Sequence, residues 1–142
     1  MTGNATGKSM RIMLVEDHNP TRAEMRALIE CQPDMTVVAE AETGEAALDR
    51  SLEFIPDVVV MDILLPGING IETTRKILAK QPAIKVLALS NHFGDSLVQA
   101  IFGAGGLGYV RKNRALEELI PALRSVAAGK RYITQVSADP KP

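Results

Sequence analysis

The stretch DVVVMD, residues 57–62, sets four apolar residues in unbroken succession between two aspartates. A strand with one wet face alternates polar and apolar side chains, so an unbroken run reads as a strand buried on both faces of a sheet. That places it at the centre of a sheet covered on both sides. Outward from it, the hydrophobic period alternates between short β-rich runs and helical stretches. RIMLVE (11–16), TVVAE (36–40), IKVLALS (84–90) and GYVRK (108–112) are the other strand candidates. Between and after them the apolar spacing turns helical, in Met25, Leu28 and Ile29, in Ala47, Leu48 and Leu52, and in Ile71, Thr74 and Leu78. It does so again in Leu97, Val98, Ile101 and Phe102, and in Leu116, Leu119, Ile120, Leu123 and Val126. Strands separated by helices need crossover connections, which predicts an α/β fold with a doubly wound parallel sheet in three layers.

Local punctuation fits this register. Asn19 before Pro20 reads as a helix cap with proline at the first helical position, Thr43 caps the second helix, Pro82 stops the third and Gly129 ends the last. Pro121 falls inside the last helix, where it removes a backbone hydrogen bond at a cost of about 3 kcal/mol, so a kink is predicted there. Residues 1–10 and 133–142 read as a disordered leader and tail around one domain, 11–132.

Composition narrows the function classes. A chain of 142 residues, 46% hydrophobic and 23% charged, suits one globular domain, and a net charge of -1 gives no general attraction to nucleic acid or anionic membrane. The single cysteine, Cys31, rules out an internal disulfide and reads as a small buried apolar residue inside a helix. With no signal-peptide core and no apolar run of about 18 residues, a soluble cytoplasmic protein is expected.

Two phosphate-loop matches fail on context. GAGGLG (103–108) spells the dinucleotide fingerprint, but that loop must leave a strand and open a helix, whereas here a helix enters it and a strand leaves it. GNATGKS (3–9) has three residues between its glycines where a P-loop needs four, and no strand precedes it. Its Asn4-Ala5-Thr6 sequon carries no weight without secretion.

In an open parallel sheet, ligands bind beyond the carboxyl ends of the strands. Those ends carry Glu16 and Asp17, Asp62, Ser90 and Lys112. Two carboxylates about 4 Å apart repel by roughly 4 kcal/mol at an effective dielectric near 20, so three acids on one rim call for a cation or for protons. An all-oxygen site that leaves room for a phosphate oxygen suits Mg²⁺. A carboxylate beside Mg²⁺ and a lysine can attack phosphorus and form an aspartyl phosphate. His18 and His92 neighbour these motifs and read as solvated side chains, since one imidazole added to carboxylates makes no transition-metal site.

The set VEDH (15–18), MDILLPGINGIE (61–72), LSNH (89–92) and GYVRK (108–112) resembles the receiver domain of bacterial two-component response regulators over residues 11–132. Most similar is the subfamily with a helix-turn-helix output domain of the nitrate-regulator and quorum-regulator type. The resemblance implies a flavodoxin-like (βα)5 fold with strand order 2-1-3-4-5. It implies Asp62 as phosphoacceptor, Glu16 and Asp17 as the acidic pair with Asp17 the direct metal ligand, and the backbone carbonyl of Leu64 as a further ligand. Ser90 and Lys112 would bind phosphoryl oxygens, and Tyr109 would change rotamer with phosphorylation. The fourth helix, its flanking strands and GAGGLG would move. Gly106, where alanine is usual, and Glu16, where aspartate is commoner, depart from the pattern.

The partners implied are a sensor histidine kinase or phosphotransfer protein and a second copy of the chain. Without a basic recognition helix, these residues are not expected to bind DNA specifically. Two outputs stay open: transcription regulation through a DNA-binding domain elsewhere in a longer protein, or a stand-alone receiver acting by protein contacts. A Mg²⁺-dependent phosphatase with an aspartyl-phosphate intermediate is the competing enzyme reading. It needs a second acid two residues after the nucleophile, and position 64 is leucine.

Overall fold

The computed structural model, which describes residues 9–92 and 94–134, buries Val58, Val59, Val60 and Met61 completely. They form β3 (Val58–Asp62), the third strand of a six-stranded parallel sheet. The other strands are β1 (Met10–Val15), β2 (Met35–Ala41), β4 (Lys85–Ser90), β5 (Gly108–Arg111) and β6 (Tyr132–Ile133). Helices α1 (Asn19–Glu30), α2 (Gly44–Phe54), α3 (Gly70–Lys80), α4 (Asp95–Gly103) and α5 (Ala115–Ala127) connect them, with a 3-10 turn over Lys112–Arg114. The order is β2-β1-β3-β4-β5-β6. Its first five strands match the expected order, and the chain reverses direction across the sheet between β1 and β3.

Burial follows the period-2 rule. In the edge strand β2, Met35, Val37, Ala39 and Ala41 are buried and the residues between them are not. In β1, Ile12 and Leu14 pack with α1 and α5 residues such as Met25, Ile29, Leu119 and Leu123. Met13 and Val15 point the other way, toward Ala47 of α2 and Ile77 of α3. Beside that second cluster, Ala88 and Tyr109 pack with Val98 and Ile101 of α4. The layers are therefore α1 and α5 on one face and α2, α3 and α4 on the other.

GAGGLG is a helix terminus. The Gly105 amide donates to the Phe102 carbonyl at 3.0 Å and the Gly106 amide to Ile101 at 2.9 Å, with Gly105 at φ +102°. These paired bonds close α4 around a left-handed residue that glycine adopts without strain. The same pair ends α5, where Gly129 (φ +82°) bonds Val126 and Lys130 bonds Ser125.

Several expectations are corrected. The cap of α1 is His18, whose Nδ1 accepts from the Thr21 amide, so Asn19 is already helical and its side chain serves Arg22 instead. Cys31 is exposed, because α1 stops at Glu30 and residue 31 begins the surface turn into β2. Leu52 and Leu116 fall at helical spacing but are 48% and 81% exposed. Helix α5 runs unbroken from Ala115 to Ala127 through Pro121, which is exposed.

Ile133, expected in the tail, belongs to β6, and Thr134 just after it is bonded to β5. Thr134 donates its amide to the Tyr109 carbonyl at 2.7 Å and its hydroxyl to buried Glu118 Oε1 at 2.8 Å. Arg114 Nε holds the other oxygen of Glu118 at 3.0 Å. Glu118→Ala should therefore cost about 1–3 kcal/mol in urea unfolding, by stranding the buried Thr134 hydroxyl. The expectations for residues 1–8 and 135–142, the sequon included, lie outside the described residues.

Candidate functional site

Strand geometry brings the acids together. β1 ends at Val15, so Glu16 and Asp17 begin the loop beyond its carboxyl end, while Asp62 is the last residue of the neighbouring β3. One oxygen from each of the three lies within 4.8 Å of the others, with Glu16 and Asp62 buried and Asp17 exposed at the mouth. Lys112, in the turn after β5, reaches back so that Nζ sits 2.8 Å from Glu16 Oε1 and 3.2 Å from Asp62 Oδ2. These residues line a cleft of about 570 Å³ with Leu64, Asn91 and Asn113.

The loop after β3 is held by α3. Asp62 Oδ1 accepts the Leu64 amide at 3.2 Å, and the Gly70 amide donates to the Ile63 carbonyl at 2.7 Å. A Cβ at Gly70 would lie 2.2 Å from the Asp62 carbonyl oxygen and 2.8 Å from the Ile63 Cα, both backbone atoms that cannot swing aside. Gly70→Ala should cost about 3 kcal/mol in denaturant unfolding and displace the Asp62 carboxylate.

Electrostatics sets the resting state. Burial raises the Asp62 carboxyl to about 6, the Glu16 charge pushes the same way, and Lys112 only partly opposes them. The reason is geometric, since one ammonium is shared between two carboxylates and stands nearer to Glu16. Burial works against the Lys112 ammonium too, but Glu16 and Asp62 outweigh it and hold its pKa above the ordinary lysine value.

The donor set fits a hard cation. All its ligands are oxygens, and Glu16 Oε1 is buried with the ammonium close by but no well-directed hydrogen-bond donor. Its partner Oε2 accepts the His18 amide at 3.0 Å. A divalent ion with several waters would satisfy the free lone pair.

Ser90 ends β4, one residue before Asn91 of the cleft lining. It is buried, and Oγ accepts the His92 amide at 3.0 Å. Tyr109 is fully buried, donates its hydroxyl to the His92 carbonyl at 2.5 Å and has Ser90 beside it. Burial raises the Tyr109 pKa, and Ser90 and Arg111 work against that. Both histidines are exposed as expected, yet each has a local task, His18 as a helix cap and His92 through its backbone. Sequence reasoning passed over Asn91, Asn113 and Arg22; for the last, an arginine one turn into the helix after an acidic pair was the available signal.

Comparison with known proteins shows the family of the chain. The profile of the response regulator receiver domain matches residues 12–124. Response regulator GacA of Pseudomonas viridiflava is 38% identical over 125 residues, covering 88% of this chain and 58% of GacA. Response regulator UvrY of Escherichia coli is 39% identical over 124 residues, covering 87% and 57%. The chain thus spans less than three fifths of these curated relatives. The crystal structure of a LuxR-family two-component response regulator from Aurantimonas sp. superposes with a TM-score of 0.85 at 42% identity, covering 88% of this chain and 89% of that one. Among the described residues no helix is long and apolar enough to cross a membrane. This chain belongs to the response regulator receiver domain family.

Proposed function

We propose that Asp62 is the phosphoacceptor of a phosphorelay, taking a phosphoryl group from a histidine kinase or phosphotransfer protein with Mg²⁺ held by Glu16, Asp17, Asp62 and the Leu64 carbonyl. The carrying observation is the Lys112 ammonium placed between Glu16 and Asp62 at the floor of an open cleft. A carboxylate oxygen of Asp62 attacks phosphorus, forming an O–P bond while the P–N bond to the donor imidazole breaks and that imidazole takes up a proton. When bound, the cation supplies charge neutralisation for the transferring group, the main requirement of phosphoryl transfer. Lys112 then turns its Asp62 contact into one with a phosphoryl oxygen.

Ser90 completes the switch by rotating its hydroxyl into the cleft. That releases the His92 amide, and with it the loop whose carbonyl holds Tyr109. Shifting an equilibrium from 1:99 to 99:1 takes about 5.5 kcal/mol, and two charge-assisted bonds at roughly 1.5–3 kcal/mol each reach that order. In a longer protein, as in the relatives, the changed α4–β5 region would control an output that regulates transcription.

Intact-mass spectrometry after incubation with Mg²⁺ and a small acyl phosphate tests the reading. The expected result is one base-labile phosphoryl group per chain, lost when EDTA replaces Mg²⁺. No uptake under either condition contradicts it.

A further inference from the structure

Arg22, the fourth residue of α1, has a side chain only 13% exposed. Its Nη1 donates to the Glu16 backbone carbonyl at 2.6 Å, and its own amide donates to the His18 carbonyl at 3.0 Å. The other arms of the guanidinium are anchored. Nε donates to Glu40 Oε1 at 2.6 Å, and Nη2 reaches Asn19 Oδ1 at 2.7 Å and Glu42 Oε2 at 3.3 Å. Glu40 is held in turn by Arg26, and these two arginines lower its pKa against the opposing effect of burial. On its other side, the Glu16 amide donates to the Ala41 carbonyl at 3.0 Å.

The Glu16 backbone is thus fixed from both directions, by β2 at its amide and by Arg22 at its carbonyl. We propose that Arg22 is a positioning residue for the cation site, fixing the loop that carries Glu16 and Asp17 through its fork on the Glu16 carbonyl, Asn19, Glu40 of β2 and Glu42 just beyond it. The inference rests on the cation reading of the cleft given above. Lysine cannot replace it, because one ammonium on a flexible stem cannot hold a carbonyl and two separate carboxylates in one plane.

Two effects of losing Arg22 have opposite signs, which makes the inference testable. By charge alone, removing a cation beside an acidic cluster deepens the negative potential and tightens Mg²⁺ binding. Loss of an outer-shell partner that orients ligands weakens metal binding, commonly by 10- to 100-fold. We expect Mg²⁺ titration calorimetry on the full chain to give a Kd about tenfold weaker for both R22Q and R22K. The titrations are run where circular dichroism shows each variant folded, so a loss of stability alone leaves the Kd unchanged.

An R22Q affinity equal to or tighter than wild type overturns the inference, and so does an R22K affinity equal to wild type. Should R22Q not fold, R22K decides alone, since it keeps the charge and loses the fork. Absence of Mg²⁺ binding by the wild-type chain overturns the cation reading and the inference with it. Wild-type binding with unaltered variants overturns only the role of Arg22.

Discussion

Asp62→Asn takes up no phosphoryl group from an acyl phosphate in Mg²⁺, while Asp49→Asn takes up as much as wild type. The amide is nearly isosteric with the carboxylate, and its carbonyl oxygen can still accept the Leu64 amide that holds Asp62 Oδ1 at 3.2 Å. What the variant loses is the anionic oxygen that would attack phosphorus. Asp49 lies on the exposed face of α2, far from the strand ends, and controls for removal of one acid from the chain. Asp17→Asn should behave differently from both. It leaves the nucleophile in place, so uptake slows at low Mg²⁺ and recovers as Mg²⁺ is raised.

The second large effect is on stability. The Asp62 carboxyl titrates at about 6 in the folded protein against an ordinary 3.8. Between those values the folded chain keeps a proton that the unfolded chain has released, so stability falls as pH rises through the window and stays low above it. In EDTA, Asp62→Asn should therefore be more stable than wild type by about 2–3 kcal/mol near neutral pH and above, with the difference vanishing near pH 4. Lys112→Met moves the other way. It leaves the Glu16 and Asp62 charges facing each other without their shared ammonium and should cost about 3 kcal/mol at alkaline pH. The cost shrinks in acid, where a proton on Asp62 replaces the lost cation. Urea unfolding at a series of pH values measures both, and a Lys112→Met cost that is flat with pH would show that the ammonium does not stabilise these carboxylates.

Both predictions use residues that were legible in the sequence, for an identifiable reason. The unbroken apolar run of β3 fixed a central strand, and in a parallel sheet the residues at strand ends are forced onto one rim. Asp62, Asp17, Glu16 and Lys112 needed only that rule to meet. GAGGLG could be assigned correctly because element order, which survives errors of a residue or two at boundaries, decides between a phosphate loop and a helix terminus.

What stayed hidden depends on tertiary contacts. Cys31 and Leu116 have the spacing of core residues, but each lies at a helix end where the chain leaves the layer. β6 is two residues long, too short for any period, and exists because β5 offers an open edge and buried Glu118 holds Thr134. Ile55 adopts a left-handed backbone (φ +46°) at the end of α2, a conformation that β-branched residues avoid and that no local signal announces. The resting partner of the Ser90 hydroxyl, the His92 amide, is likewise invisible in the sequence, since it depends on where the loop after β4 and Tyr109 lie.

One particular carboxylate of the cleft, that of Asp62, is the one expected to meet phosphorus. Borohydride reduction of the acyl-phosphate-treated protein, followed by peptide sequencing on a mass spectrometer, marks the modified residue by converting an aspartyl phosphate to homoserine. Homoserine at residue 62, and at no other aspartate, is the predicted result. Homoserine at residue 17, or a phosphoryl group recovered on His18 or His92, would contradict it.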